Sequence, residues 1–509
     1  MNYHFLLQKS SLLERQALGS HQAAVIFLLI GRRSTMPTIR FGTDGWRSIL
    51  AEDFTFPNVR SVTQAIANHV IAAGRKDQGI VVGYDRRFLS DKFGRAAADV
   101  LAASGIPVYL TKKDTPTPVT AFAVVQLQAA GAVMITASHN PPEYNGIKFI
   151  PYYGGPALPE VTRDIEAHLE KVLANGGVQQ ADLCRVDGSD PVRIIDPFQD
   201  YLEHLRRLID GAKIKEAGLK VVVDPMYSCG AGYLETLLAG FGCQVEAIHQ
   251  DYNPLFGGRL PEPNAANLPE LIEKVKNGKA HLGLALDGDA DRFGIVDGDG
   301  SFLTANQVLV LTLYHLLENR RWKGTQVART VATTHMLNRI GEHYGVKVLE
   351  TPVGFKYIAK ALQDPGTLMG GEESGGMSIR GHLPEKDGIL AAALMVELVA
   401  VSGRSLSATI REIEQRFGAS VSQRLDIHVD ICDKETIVEK IAALYPAQVA
   451  GLPVVERQTC DGVKIILKDG SWALVRASGT EPLFRLYVEA KDLEQLSQIQ
   501  AEIRFLVGL

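Results

Sequence analysis

Ala132-Val133-Met134-Ile135-Thr136-Ala137-Ser138-His139-Asn140-Pro141-Pro142-Glu143-Tyr144-Asn145-Gly146-Ile147-Lys148 is the stretch on which the fold turns. Its first four residues are an unbroken apolar run and read as a buried strand. The polar, proline-stiffened loop that follows lies at that strand's C-terminal end, where open α/β sheets place their ligands. Outward from it the same grammar repeats. Gly79-Ile80-Val81-Val82-Gly83 is another buried run, followed by a helical pattern from Asp91 to Ala103 and by Val108-Tyr109-Leu110. Lys220-Val221-Val222-Val223, a helical stretch from Ala231, and Cys243-Gln244-Val245-Glu246 continue it. His281–Leu286 and Val346–Leu349 follow. Strand–helix alternation of this kind predicts mostly parallel sheets covered by helices.

A chain of 509 residues is too long for one core. Three α/β units are expected, at 37–205, 206–305 and 306–421. The remainder, 422–509, reads differently: Arg424–Val429, Val463–Leu467 and Trp472–Val475 are expected strands of a smaller mixed sheet, closed by a helix over Leu493–Phe505. That is an α+β tail. Residues 1–36 are expected to be an extension upstream of the folded chain, consistent with a start at Met36. Strand-like patterning begins just after it, at Thr38-Ile39-Arg40-Phe41. The apolar run Ala23–Ile30 precedes Arg32 and Arg33, the reverse of the order in a secretory signal.

Bulk composition excludes some classes of function. A net charge of −5 and a pI near 6.3 leave no electrostatic footprint for nucleic acid. No apolar run reaches the ~18–20 residues of a membrane helix. Five scattered cysteines (Cys184, Cys229, Cys243, Cys432, Cys460) show no CxxC spacing, so reduced thiols and a cytoplasmic location are expected. An anionic ligand must therefore be met by locally clustered cations and backbone N–H groups.

Four loops carry chemistry. In the first, Ser138 on its rigid loop suits a nucleophile with His139 and Lys148 nearby, although a polar turn would read the same way. In the second, Asp287-Gly288-Asp289-Ala290-Asp291-Arg292, three carboxylates can converge on a cation if the small residues let the backbone curl. Oxygen-only ligands favour Mg²⁺ or Ca²⁺. An EF-hand is excluded, because Arg292 stands at the turn-glycine position and Gly298 at the bidentate-glutamate position. The third, Gly370-Gly371-Glu372-Glu373-Ser374-Gly375-Gly376, suits hydrogen bonding to sugar hydroxyls. The fourth, Arg476-Ala477-Ser478-Gly479-Thr480-Glu481-Pro482, suits a phosphate cradle. Together they describe phosphoryl transfer on a sugar phosphate, which rests on positioning and charge neutralisation.

With these loops in this order, the chain from about Arg40 onward resembles the α-D-phosphohexomutase family. The resemblance implies three related α/β domains and a C-terminal domain around a central cleft. It implies a phosphoserine at Ser138, Mg²⁺ held by Asp287, Asp289, Asp291 and a phosphoserine oxygen, and Lys148 as a general acid/base. Arg292 would hold the active-site phosphoryl group, and Glu372 and Ser374 would read sugar hydroxyls. Arg476, Ser478, Gly479 and Thr480 would clamp the non-transferring phosphate. Phe41–Arg47 resembles the family's N-terminal signature and places Arg47 beside the nucleophile. Thr351-Pro352-Val353-Gly354-Phe355-Lys356 and the GEESGG loop resemble the glucose-type members, which adds Gly354 and Lys356 to the substrate residues. Arg329 is implied as a further phosphate-facing cation. The histidine that ends the related GEMSGH motif is Gly376 here, so His382 is the candidate second acid/base, against a solvent-facing histidine.

The implied reaction moves a phosphoryl group between C1 and C6 of glucose through glucose 1,6-bisphosphate. Hexose phosphates are then the expected partners of a monomer or dimer, with no nucleic acid and no membrane. A dual-specificity phosphomannomutase, a hexose-bisphosphate synthase and a non-catalytic phosphosugar sensor remain alternatives.

Overall fold

The computed structural model describes residues 39–42, 45–178, 192–429, 434–477 and 483–509. The expected extension at 1–36 lies outside them, as do Ser478, Gly479 and Thr480. Four sheets organise the chain. The first contains β1 (Trp46–Ile49), β2 (Ile80–Tyr84), β3 (Val108–Thr111), β4 (Gly131–Ile135), β5 (Tyr144–Pro151) and β6 (Val192–Ile195), in the order β1-β5-β4-β2-β3-β6. The second contains β7 (Lys220–Asp224), β8 (Gln244–Ala247), β9 (Leu282–Leu286), β10 (Phe293–Asp297) and β11 (Phe302–Leu303), in the order β11-β10-β9-β7-β8. The third contains β12 (Gln326–Thr330), β13 (Lys347–Thr351), β14 (Thr367–Glu372) and β15 (Gly376–Ile379), in the order β13-β12-β14-β15.

One device recurs in all three. The central strands are parallel, and the last of them is followed by an antiparallel return strand: β4 by β5, β9 by β10, β14 by β15. The serine, aspartate and glutamate loops are the three turns of those hairpins. Each functional loop is thus held at both ends by a ladder, anchored at Ile135↔Ile147, Leu286↔Phe293 and Glu372↔Gly376.

The fourth sheet is β16 (Val421–His428), β17 (Gln448–Val449), β18 (Leu452–Gln458), β19 (Val463–Leu467), β20 (Trp472–Ala477) and β21 (Leu483–Ala490). A mixed sheet was expected; every pairing here is antiparallel. The reason is local. Connections as short as Lys468–Ser471, with Gly470 at φ +88°, can only turn a strand back on its neighbour. The expected strand near Phe41 is also absent among the described residues. Phe41 gives its backbone N–H to the Glu166 carboxylate (2.7 Å) rather than to a ladder, and the first strand starts at Trp46.

One apolar core runs through the first three sheets, including Val81, Met134, Leu234, Leu284, Leu309 and Leu390. The fourth sheet has its own, including Ile465, Phe484, Val488, Ile499 and Ile503. Among the described residues no single helix is long and apolar enough to cross a membrane.

Candidate active site

Ser138 sits at φ +53°, a left-handed conformation that is uncommon for a non-glycine residue and marks a constrained loop. Its N–H donates to Thr136 Oγ1 (2.9 Å). Beneath the loop the Arg87 guanidinium donates to four carbonyls, those of Ser138 (2.7 Å), Asn140 (2.6 Å), Pro141 (2.7 Å) and Tyr144 (3.0 Å). From the other side Arg47 Nη1 donates to Asn140 Oδ1 (2.7 Å), so the N-terminal arginine does reach the serine loop. His139 Nδ1 lies 3.4 Å from Ser138 Oγ. Burial and the Arg292 and Arg47 charges push the His139 pKa well below the usual imidazole value, so the ring is neutral at pH 7.

The aspartate loop closes directly onto this serine. Ser138 Oγ donates to Asp287 Oδ2 (3.0 Å). Gly288 packs so tightly that a Cβ there would lie 2.2 Å from the Ser138 carbonyl oxygen, which only glycine avoids. Ala290 adopts φ +58°, the curl that brings the three carboxylates together. Asp287, Asp289 and Asp291 are buried, and one oxygen of each lies within 4.8 Å of the others. Lys148 Nζ bridges Asp289 Oδ2 (2.8 Å) and Asp291 Oδ2 (3.0 Å), and Thr117 Oγ1 donates to Asp289 Oδ2 (2.6 Å).

Burial, and then the Asp289 and Asp291 charges, raise the Asp287 pKa well above the usual carboxylate value. Burial acts on Asp289 in the same direction, but Lys148, Thr117 and Lys386 outweigh it and hold that carboxyl below the usual range. The other oxygens of Asp289 and Asp291, both Oδ1, are buried with no hydrogen-bond partner among the described residues. An all-oxygen donor set with two orphaned carboxylate oxygens fits a hard divalent cation.

The glutamate loop borders the same place. Ser374 Oγ donates to Glu372 Oε1 (2.7 Å). Burial and the adjacent Glu373 charge raise the Glu372 pKa, against the pull of Lys386 and Arg292. A Cβ on Gly375 would touch the Arg292 side chain at 3.7 Å. Lys386 Nζ lies 3.3 Å from Asp291 Oδ2 and 5.4 Å from the Phe355 ring centre. Phe355 opens the helix Phe355–Leu362, with Gly354 just before it and Lys356 just after, so the 351–356 loop reaches the site through Phe355.

Three expected residues sit elsewhere or stand apart. Arg476, at the end of β20, pairs side-on with Asp461: Nε to Oδ1 (3.3 Å) and Nη2 to Oδ2 (3.1 Å). Arg329 is committed to partners within its own sheet unit. It is 2% exposed, and binds Glu350 (2.7 Å), Asn338 (2.8 Å) and the Thr330 carbonyl (2.9 Å), because it neutralises Glu350 inside the protein. His382 is neither solvent-facing nor available as a second acid/base. Its Nε2 pairs with Asp387 (2.8 Å) and its Nδ1 with His204 (3.0 Å), so both ring nitrogens are engaged in holding Asp387. Asp387 in turn accepts the Leu390 N–H (2.9 Å) and caps the helix Gly388–Ser402.

Sequence reasoning passed over Arg87, Lys386, Thr117 and Asp461. Arg87 carried a signal: Asp85-Arg86-Arg87 are charges directly after a buried strand, the same position that drew attention to Ser138. Lys386 lies in the Gly381–Gly388 stretch from which His382 was chosen. Thr117 carried none, because its partner is 172 residues away.

The descriptions of phosphoglucomutase/phosphomannomutase alpha/beta/alpha domains I, II and III and of the C-terminal domain match residues 38–175, 199–300, 304–417 and 427–505. The chain belongs to the phosphoglucomutase/phosphomannomutase family. It is 34% identical to a phosphoglucomutase/phosphomannomutase of Thermococcus kodakarensis, over 89% of this chain and 95% of that one. It is 32% identical to a phosphoglucosamine/phosphogalactosamine mutase of Sulfurisphaera tokodaii, over 92% of this chain and 98% of that one. A phosphoglucomutase/phosphomannomutase family protein of Burkholderia thailandensis superposes with a TM-score of 0.76 at 25% identity, covering 92% of this chain and 97% of that chain. Phosphohexomutases are isomerases, and this family member is an enzyme of that class.

Proposed function

We propose that this phosphohexomutase interconverts glucose 1-phosphate and glucose 6-phosphate, with Ser138 as a phosphoserine and glucose 1,6-bisphosphate as intermediate. The observation that carries the reading is Ser138 Oγ at 3.0 Å from Asp287, on the edge of a buried carboxylate triad that Lys148 already bridges. A lone serine in a turn would need none of this. Asp287, Asp289 and Asp291, with a phosphoserine oxygen, would hold Mg²⁺, which when bound supplies neutralisation of the transferring charge.

In the first half-reaction the bond from Ser138 Oγ to phosphorus breaks, and a bond forms between phosphorus and the free hexose hydroxyl oxygen. The proton lost by that hydroxyl is returned to Ser138 Oγ. Lys148 is the ionisable group that serves this transfer, and neutral His139 lies beside the same oxygen. In the second half the bisphosphate presents its other phosphate, whose oxygen–phosphorus bond breaks as Ser138 Oγ is rephosphorylated, and the serine proton passes to the sugar oxygen that leaves. Arg47 and Arg292 offset charge at the transfer point. Arg476, with Ser478, Gly479 and Thr480, holds the phosphate that is not moving. Glu372 and Ser374 read the hydroxyls between, with Gly354 and Lys356 on the neighbouring loop. An exposed free thiol, Cys460, fits a reducing cytoplasm.

Glucose is the reading that the GEESGG and TPVGFK loops favour, while the relatives' names span glucose, mannose and glucosamine. Turnover of glucose, mannose and glucosamine 1-phosphates, with and without the matching bisphosphate, tests it. Glucose 1-phosphate is expected to give the highest kcat/KM, and a faster mannose or glucosamine reaction would sink the assignment. Mass spectrometry after exposure to glucose 1,6-bisphosphate is expected to find phosphate on Ser138; its absence would sink the relay. Free bisphosphate accumulating in ³¹P NMR with an added phosphoryl donor would identify a synthase instead.

A further inference from the structure

Asp461 stands in the turn between β18 and β19, and each of its two oxygens has a distinct task. Oδ1 accepts from Arg476 Nε (3.3 Å), while Oδ2 lies 3.1 Å from Arg476 Nη2 as its ion-pair partner and accepts from the Val353 backbone N–H (3.0 Å). Val353 belongs to the loop after β13 in the third sheet unit, whereas Asp461 and Arg476 belong to the fourth. One carboxylate therefore ties the arginine to a loop of another domain. We propose that Asp461 is a positioning residue, which aims the Arg476 fork and fastens it to the 351–356 substrate loop. The proposal rests on the reading of Arg476 as a phosphate clamp.

The planar guanidinium makes the aim specific. With its Nε and Nη2 edge on Asp461, the Nη1 end of the fork is turned away from the carboxylate, as a bidentate phosphate contact requires. The carboxylate itself is firmly placed. Gly462 follows at φ +81°, where a Cβ would lie 2.4 Å from the Val475 carbonyl oxygen, so the turn lies directly against the strand that bears Arg476. Val463 then pairs with Val475 in the ladder. The side chains of Arg476 and Asp461 are 14% and 24% exposed, so the cost of desolvating both charges offsets much of their attraction and the pair adds little net stability. Its value is direction rather than strength.

The test uses the full chain and the hexose 1-phosphate that the substrate panel ranks first. Asp461→Asn keeps the shape but cannot serve Val353 and both arginine nitrogens as acceptor. It is expected to raise KM about fivefold or more, the loss of one charge-assisted hydrogen bond, with kcat within about twofold and Tm within about 2 °C. In an Arg476→Ala background the same substitution is expected to raise KM no further, because the group it aims is gone. An unchanged KM in Asp461→Asn, while Arg476→Ala raises it, would overturn the proposal, as would effects of the two that multiply. Arg476→Ala with unchanged KM would overturn the clamp reading itself.

Discussion

Four carbonyl oxygens of the serine loop converge on one guanidinium, that of Arg87, which holds Ser138 by its backbone carbonyl. Its side chain and that of Asp85 are both fully buried, with Arg87 Nε 3.3 Å from Asp85 Oδ2. A lysine would bring three donors on a compact head and could not span four carbonyls. Arg87→Lys is expected to lower kcat by about 100-fold, since an ångström of displacement at a reacting group has that effect. Phosphate uptake by Ser138 from a bisphosphate, followed by mass spectrometry, should slow in parallel; near-normal uptake would show that the loop holds its shape unaided. Arg87→Ala is expected to destabilise the fold by about 3–5 kcal/mol in denaturant melts, because Asp85 is left buried and unpaired. At this scale the sequence was legible where chemistry and chain position coincide, as at Ser138 and the three aspartates. It was illegible where a charge works at long range, as when Arg87 serves Tyr144 or Arg329 serves Glu350.

The helix Gly388–Ser402 is apolar on every side and buried along most of its length, the pattern of a helix inside a core rather than on a surface. Its one charge is Glu397. That carboxylate accepts from the Asp210 N–H (2.9 Å), from His315 Nε2 (3.0 Å) and from Arg320 Nε (2.7 Å), and so ties together segments from three parts of the chain. Burial acts to raise its pKa, but His315 and Arg320 outweigh burial and draw it from 4.5 down to about 2. A carboxyl depressed on folding stabilises fully above its unfolded pKa, and that contribution disappears as pH falls through the folded one. Glu397→Gln is therefore expected to lose roughly 3 kcal/mol at pH 7. The difference from the parent should narrow as pH is lowered from about 4.5 towards 2. Urea melts at pH 7 and pH 3.5 check it, and a gap of equal size at both would exclude the ionised carboxylate as the cause. Strands and helices of this scale were readable from apolar runs such as Val81-Val82 and Leu284-Ala285-Leu286. The threefold recurrence of parallel strand, functional loop and antiparallel return was not, because β5, β10 and β15 share an antiparallel pairing that no common loop length announces.

Across the whole molecule the apolar cores define what moves with what. The first three sheet units share one continuous core and should unfold together, whereas the fourth keeps its own and meets them through a small junction of Val331, Ala332, Trp472, Leu474 and Tyr487. Polar contacts at that junction centre on Lys464. Its ammonium donates to the Val331 carbonyl (2.8 Å) and to His335 Nε2 (2.7 Å), lies 3.1 Å from Glu350, and rests 4.3 Å from the Trp472 ring centre. Burial, with the Arg329 charge nearby, draws the Lys464 pKa down to about 8 against the pull of Glu350, whose own pKa Lys464 lowers. Apolar contact adds to these polar ties, and Trp472, 1% exposed, is its largest member. Trp472→Ala is expected to remove about 3–5 kcal/mol from the fourth unit and its docking. In calorimetry the parent should show two transitions, and the substitution should lower only the smaller, earlier one. KM should rise with it, since Arg476 is carried on the same sheet as Trp472 and would lose its place relative to the 351–356 loop. A single transition that shifts as a whole would instead mean that the four units form one cooperative body, with Arg476 no freer to move than Ser138.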